Sequence, residues 1–215
     1  MSHSAHRLGT KEEFAKDYVV FVKPARGIDD VDEKTKAETI RKTKELADIA
    51  IKLNPVNLGR SKVGCIEAGV DFHEIADSSL NGFMTVFKER NKVVEILKAF
   101  KEKNYEFSIV ASGLTEDFFD ICKTVGLKPH TILFTVGIWG KTELLPSEDH
   151  LKITTLCGHH MVSSRMVDHY VEEIRNGSIT AEEAARKLVK PCTCGIFNTS
   201  KTADVLTKMA RKDDI

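Results

Sequence analysis

From Tyr18 to Val136 the chain alternates between short runs rich in β-branched and aromatic residues and longer stretches whose apolar residues recur at helical spacing. The strand-like runs are YVVFV from Tyr18, VGCIEA from Val63, FMTVF from Phe83, FSIVA from Phe107 and TILFTV from Thr131. Between them the spacing predicts helices over Glu33–Leu53, Lys92–Lys103 and about Glu116–Val125. Ala37, Ile40, Ala47 and Ile51 form the expected core stripe of the first, and Pro55 follows its end. Strand and helix in turn predict an α/β fold: four or five mostly parallel strands in a layered sheet with flanking helices, joined by right-handed crossovers. The near-continuous apolarity of YVVFV predicts a strand covered on both faces.

The last third reads differently. Ser163 or Ser164 caps a predicted helix to Asn176, Thr180-Ala181-Glu182-Glu183 is a capping box that starts another to Lys190, and a third runs from Asn198 to Lys212. The expected organisation is a flexible N-terminal tail over 1–10, an α/β domain over 11–148, and a helical Cys/His-containing segment over 149–215 packed on the sheet.

Two loops in that segment concentrate the chemistry. Leu156-Cys157-Gly158-His159-His160 precedes its first helix, and Pro191-Cys192-Thr193-Cys194-Gly195 separates the second from the third. They hold three of five cysteines and two of eight histidines. A helical hairpin turning at Gly177 brings them together. The glycines beside the cysteines let backbone N–H groups approach a sulfur or a bound cluster. Cys157, Cys192 and Cys194 are therefore the expected metal ligands, and two metals fit. With one imidazole they complete a tetrahedral zinc site. Alone they suit a four-iron, four-sulfur cluster with one iron open, where His159 or His160 serves as ligand, substrate anchor or catalytic acid–base group. The metal-free reading leaves the three thiols in the core, or Cys192 and Cys194 as a redox pair. Cys65 and Cys122, inside apolar runs, read as buried core thiols.

The stretch LCGHHMVSSRMV…AARKLVKPCTCGIFN resembles an uncharacterised protein family of strictly anaerobic archaea and bacteria. The resemblance covers Leu156 to Asn198 and carries over no activity. It implies an oxygen-sensitive iron–sulfur cluster in preference to zinc.

Other positions are less specific. Ser112-Gly113 ends a strand before a helix, and Trp139 stands between two glycines at the end of another. All three are candidate cofactor- or substrate-binding residues in the crevice over the strand ends. Glu116 and Asp117 at the same junction oppose a phosphate there. Arg26, Asp29 and Asp30 lie in the loop after the first strand, and Asp71, His73, Glu74 and Asp77 form a polar cluster whose plainest reading is a helix start.

Composition excludes more than it assigns. Thirty-two basic and 32 acidic residues balance to zero, giving no electrostatic case for nucleic acid or an anionic membrane. The same balance removes a barrier to homo-oligomer formation. No apolar run approaches the ~20 residues of a spanning helix. A polar Met1–Thr10 lacks a signal-peptide core, so the expected location is cytoplasmic, where cysteines serve as ligands or reactive thiols. The sequence thus points to a metal-cluster protein that takes a small-molecule substrate at an open iron, with a non-catalytic α/β binding protein stapled by structural zinc as the alternative.

Overall fold

The computed structural model describes residues 4–24, 32–78 and 80–211. A short helix α1 (Lys11–Phe14) leads into β1 (Tyr18–Lys23) and then α2 (Glu33–Lys52). A hairpin of β2 (Asn57–Arg60) and β3 (Gly64–Cys65) follows, then α3 (Phe72–Asp77), β4 (Phe83–Phe87), α4 (Arg90–Lys103), β5 (Ser108–Ser112) and α5 (Thr115–Val125). The C-terminal part consists of α6 (Glu148–Thr154), α7 (Ser164–Arg175), α8 (Ala181–Leu188) and α9 (Thr199–Arg211).

The five strands form one sheet in the order β3-β2-β4-β1-β5, and every neighbouring pair is antiparallel. This corrects the expectation of a mostly parallel sheet. The α/β alternation is real, but each crossover skips a strand. β1 and β2 share a direction with β4 inserted between them, and β4 and β5 share a direction with β1 between them. This is the connectivity of the split β-α-β motif. Periodicity registers the crossover helices but is blind to which strand inserts between the strands they join.

Two further differences concern individual strands. The β2 sequence Asn-Leu-Gly-Arg was not expected in the sheet, because Asn and Gly read as turn residues, yet Asn57, Leu58 and Gly59 are buried. Conversely Thr131–Val136, expected as a strand, joins no sheet among the described residues.

Register sorts the sheet into two faces. Tyr18 opposite Phe87, Val22 opposite Phe83, and Val20 between Leu58-paired Thr85 and Ala111 face α2, α3, α4 and α5. Val19, Val86 and Met84 face the other way, onto α6 to α9. All five residues of β4 are buried because helices cover both faces. On α2 the buried stripe is Thr39, Thr43, Leu46, Ala47 and Ala50, while Ala37 is exposed. Threonine serves as a core residue there because each hydroxyl donates to the carbonyl four residues back, at 2.8 Å.

The second face is tied down by a buried ion network. Arg7, within the 1–10 segment, pairs with Asp17 and donates to the Ile196 carbonyl oxygen. Lys201 Nζ lies 3.5 Å from Asp17 Oδ2, and Asn198 Nδ2 donates to Asp17 Oδ1 at 3.0 Å. Arg26, Asp29 and Asp30 lie outside the described residues.

Candidate functional site

The two cysteine loops meet against β2 and β3. Cys157 follows α6 by three residues and is fully buried, as are Cys192 and Cys194 after α8. Pro191 has no N–H to continue the helix, and the Cys192 N–H turns back to the Val189 carbonyl at 2.8 Å. The next residues lie directly on the sheet. A Cβ on Gly195 would come within 2.3 Å of the Gly59 nitrogen, and one on Gly59 within 2.8 Å of Gly195 Cα. Gly195 also has φ +81°, a left-handed backbone that costs a side-chain-bearing residue. Asn57 Nδ2 then donates to the Phe197 carbonyl at 3.1 Å, and Asn198 accepts from Lys201 N at 2.9 Å, capping α9. The PCTCGIFN stretch is thus clamped from both sides by residues remote in sequence.

Within the clamp the sulfurs form a chain of contacts. Cys157 and Cys192 sit close enough for each to shift the other's titration. Cys192 Sγ lies 3.7 Å from Cys194 Sγ, and Cys194 Sγ lies 3.8 Å from His159 Nδ1. Cys65, read from the sequence as a plain core thiol, is a neighbour: its Sγ donates to the Cys192 carbonyl at 3.7 Å. The sequence shows Cys65 as a buried thiol but not this placement, which depends on the β2–β3 hairpin.

Electrostatics distinguish the three thiols. The hydrogen bond with Cys192, with burial behind it, holds Cys157 well above the usual thiol range. The bond with Cys157 pulls Cys192 down, but its bond to Cys194, burial and the charge of Cys194 outweigh that, and it is pushed up to about 12. Cys194 is held low by the hydrogen bond from Cys192, against the effect of burial. Of the three, Cys194 is the thiol whose ionised form is favoured, and charging all three together would need a compensating cation. No group of three or more His, Cys, Asp or Glu side chains among the described residues has converged as a metal-holding set.

The two histidines differ. His159 is exposed but turns its ring to Cys194. His160 takes a left-handed φ of 55°, donates its N–H to the Cys157 carbonyl at 3.0 Å, and faces the His6 ring at 6.2 Å.

The remaining candidates stand apart from the thiols. Ser112 ends β5, and a Cβ on Gly113 would meet Phe118 at 2.9 Å and Tyr18 at 3.3 Å. Trp139 is exposed and donates its indole N–H to the Val136 carbonyl at 3.0 Å. Asp71 caps α3 through His73 N, and Asp77 pairs with Lys44, so two members of that polar cluster have structural work.

A Ser147–His150–Asp168 relay, with both contacts 2.6 Å, borders a cavity of about 620 Å³. Nothing in the local sequence points to it, since Asp168 is on another helix. Ser147 and His150 are the N-cap and N3 positions of α6, and the Asp168 carboxylate is 64% exposed. The arrangement ties α6 to α7 and lacks the buried carboxylate that would fix an imidazole for nucleophilic catalysis. A second cavity, of about 310 Å³, lies between Glu13, Lys152 and Lys208. Neither is lined by the cysteines.

Fold and site together define a split β-α-β protein whose second sheet face is closed by four helices over a buried thiol cluster. No protein-family model, curated protein or solved structure matches the chain. Among the described residues no helix is long and apolar enough to cross a membrane.

Proposed function

We propose that Cys157, Cys192 and Cys194, completed by His159, bind a single tetrahedral metal ion of the zinc type, which staples the C-terminal helices to the sheet. The observation that carries this reading is the spacing of 3.7 Å between Cys192 Sγ and Cys194 Sγ. Two thiolates ~2.3 Å from one tetrahedral metal stand ~3.8 Å apart. Thiolates on different irons of a cubane stand farther apart, because the cluster itself separates them. The 3.8 Å from Cys194 to His159 Nδ1 is compatible with both groups sharing the same ion after small side-chain rotations. The ion would draw Cys157 into the same sphere and supply the charge that three buried thiolates lack.

The iron–sulfur enzyme is the second reading. It rests on the ligand types and the two adjacent histidines. The full burial of the three cysteines disfavours it, since an open iron needs a path for substrate.

The test is elemental. Protein purified without oxygen or chelator is assayed for zinc, iron and acid-labile sulfide, and its visible spectrum recorded. About one zinc per chain in a colourless protein, lost in Cys192→Ser, is the expected result. A brown protein with about four irons and equal sulfide replaces the staple with the cluster. A metal-free protein with titratable thiols overturns both and leaves Cys192 and Cys194 as a thiol pair.

A further inference from the structure

Residues 128–146 are exposed throughout, although the stretch from Thr131 to Gly140 contains no charged side chain. Ile132, Leu133, Phe134, Val136, Ile138 and Trp139 all present apolar surface to solvent, with Val136 77% and Trp139 81% exposed. Together they expose on the order of 800 Å² per chain, which is what each partner contributes to a standard-size protein interface. Isolated exposed apolar residues are ordinary, but a contiguous run of this size is characteristic of an interaction surface.

The same chain carries an uncovered surface of matching character. β5 pairs with β1 along one edge and, among the described residues, with nothing along the other. Its sequence, Ser-Ile-Val-Ala-Ser, has neither the lysine nor the proline that blunts an open sheet edge. Ser108 and Ala111 are exposed on it. On the adjoining helix α5, only Ile121 and Val125 are buried and Phe119 is 47% exposed. The arm has the strand propensity of TILFTV and no sheet. The sheet has an edge of similar length and no strand.

We propose that two copies of the chain associate about a two-fold axis, each laying its 131–139 arm as an added strand along the β5 edge of the other. A second copy is the occupant that the chemistry favours. Arm and edge are both uncharged, so neither discriminates for a nucleic acid or a charged peptide, and the chain's zero net charge sets no repulsion between copies. Reciprocal exchange covers both surfaces at once and closes the assembly, whereas one-way addition would propagate into a filament.

The test uses the full chain in sedimentation equilibrium at micromolar concentration, with Trp139 fluorescence as a local readout, because it is the sole tryptophan. The wild type is expected at twice the 24.0 kDa chain mass, with blue-shifted tryptophan emission. Phe134→Asp combined with Val136→Asp lies wholly on exposed positions and is expected to leave the circular dichroism spectrum unchanged. It is expected to raise the dimer dissociation constant about 100-fold or more and to shift the emission red. Ala111→Lys, on the receiving edge, is expected to do the same with the arm unaltered. A wild type that stays monomeric, including one whose arm docks on its own sheet, overturns the proposal. So does a dimer indifferent to the arm substitutions. Loss of the dimer in the arm variant but not in Ala111→Lys overturns β5 as the acceptor.

Discussion

Where the cysteine loop lies on the sheet, Gly59 and Gly195 face each other with no room for a side chain on either. Gly195→Ala would both strain a left-handed backbone and drive a methyl group into the Gly59 peptide, neither of which can move without displacing β2. Urea denaturation is expected to show a loss of about 2–4 kcal/mol, and metal content is expected to fall with it. Asp17 is a second such position. Removing its carboxylate leaves the Arg7 and Lys201 cations buried without their shared anion, so Asp17→Ala is expected to cost about 3–5 kcal/mol. The two histidines separate at this scale as well. His159→Ala should weaken zinc retention against a competing chelator, since the ring lies beside Cys194, while His160→Ala should leave retention near the wild type. Equal loss in both variants would remove His159 from the ligand set.

At the scale of elements, α8 sets the position of the second cysteine loop. Thr180 and Glu183 form a complete capping box at its start, with Thr180 N donating to Glu183 at 2.8 Å. Thr180→Ala is expected to destabilise the protein by about 1 kcal/mol in thermal or urea unfolding, without altering metal stoichiometry, because Cys192 and Cys194 lie at the opposite end of the helix. Such elements were legible in the sequence: the capping box, three of the four helices of the last third and three of the four longer strands are set by local spacing and turn chemistry, whereas the seven-residue α6 was expected as a loop. The stripe of α2 was less so. Thr39 and Thr43 enter the core only because the helix itself satisfies their hydroxyls, and a hydrophobicity pattern scores them as polar. β2 was missed for a related reason. Its Asn57 and Gly59 are selected by the loop they contact, more than 130 residues onward, and not by strand propensity.

For the whole molecule, the metal proposal and the sheet topology are linked. A single ion at Cys157, Cys192 and Cys194 would join the ends of α6 and α8 beside β2 and β3, on the sheet face that already holds its own apolar core. Chelation is therefore expected to lower the melting temperature and raise hydrogen exchange in α6 to α9, while the face formed by α2 and α4 stays protected. Global unfolding on chelation would mean that the two faces do not fold as separable layers.

What the sequence determined by itself was the local part: most of the helical segments, though not α6, and that the chain is α/β. These follow from periodicity, caps and glycine spacing, which act within a few residues. The tertiary structure alone decided that the strands run antiparallel, that Cys65 adjoins the other thiols, and that the 131–139 run leaves the sheet. Each of these depends on which distant surfaces meet. A strand inserted between two others reverses every neighbour relation without changing any residue's local preference.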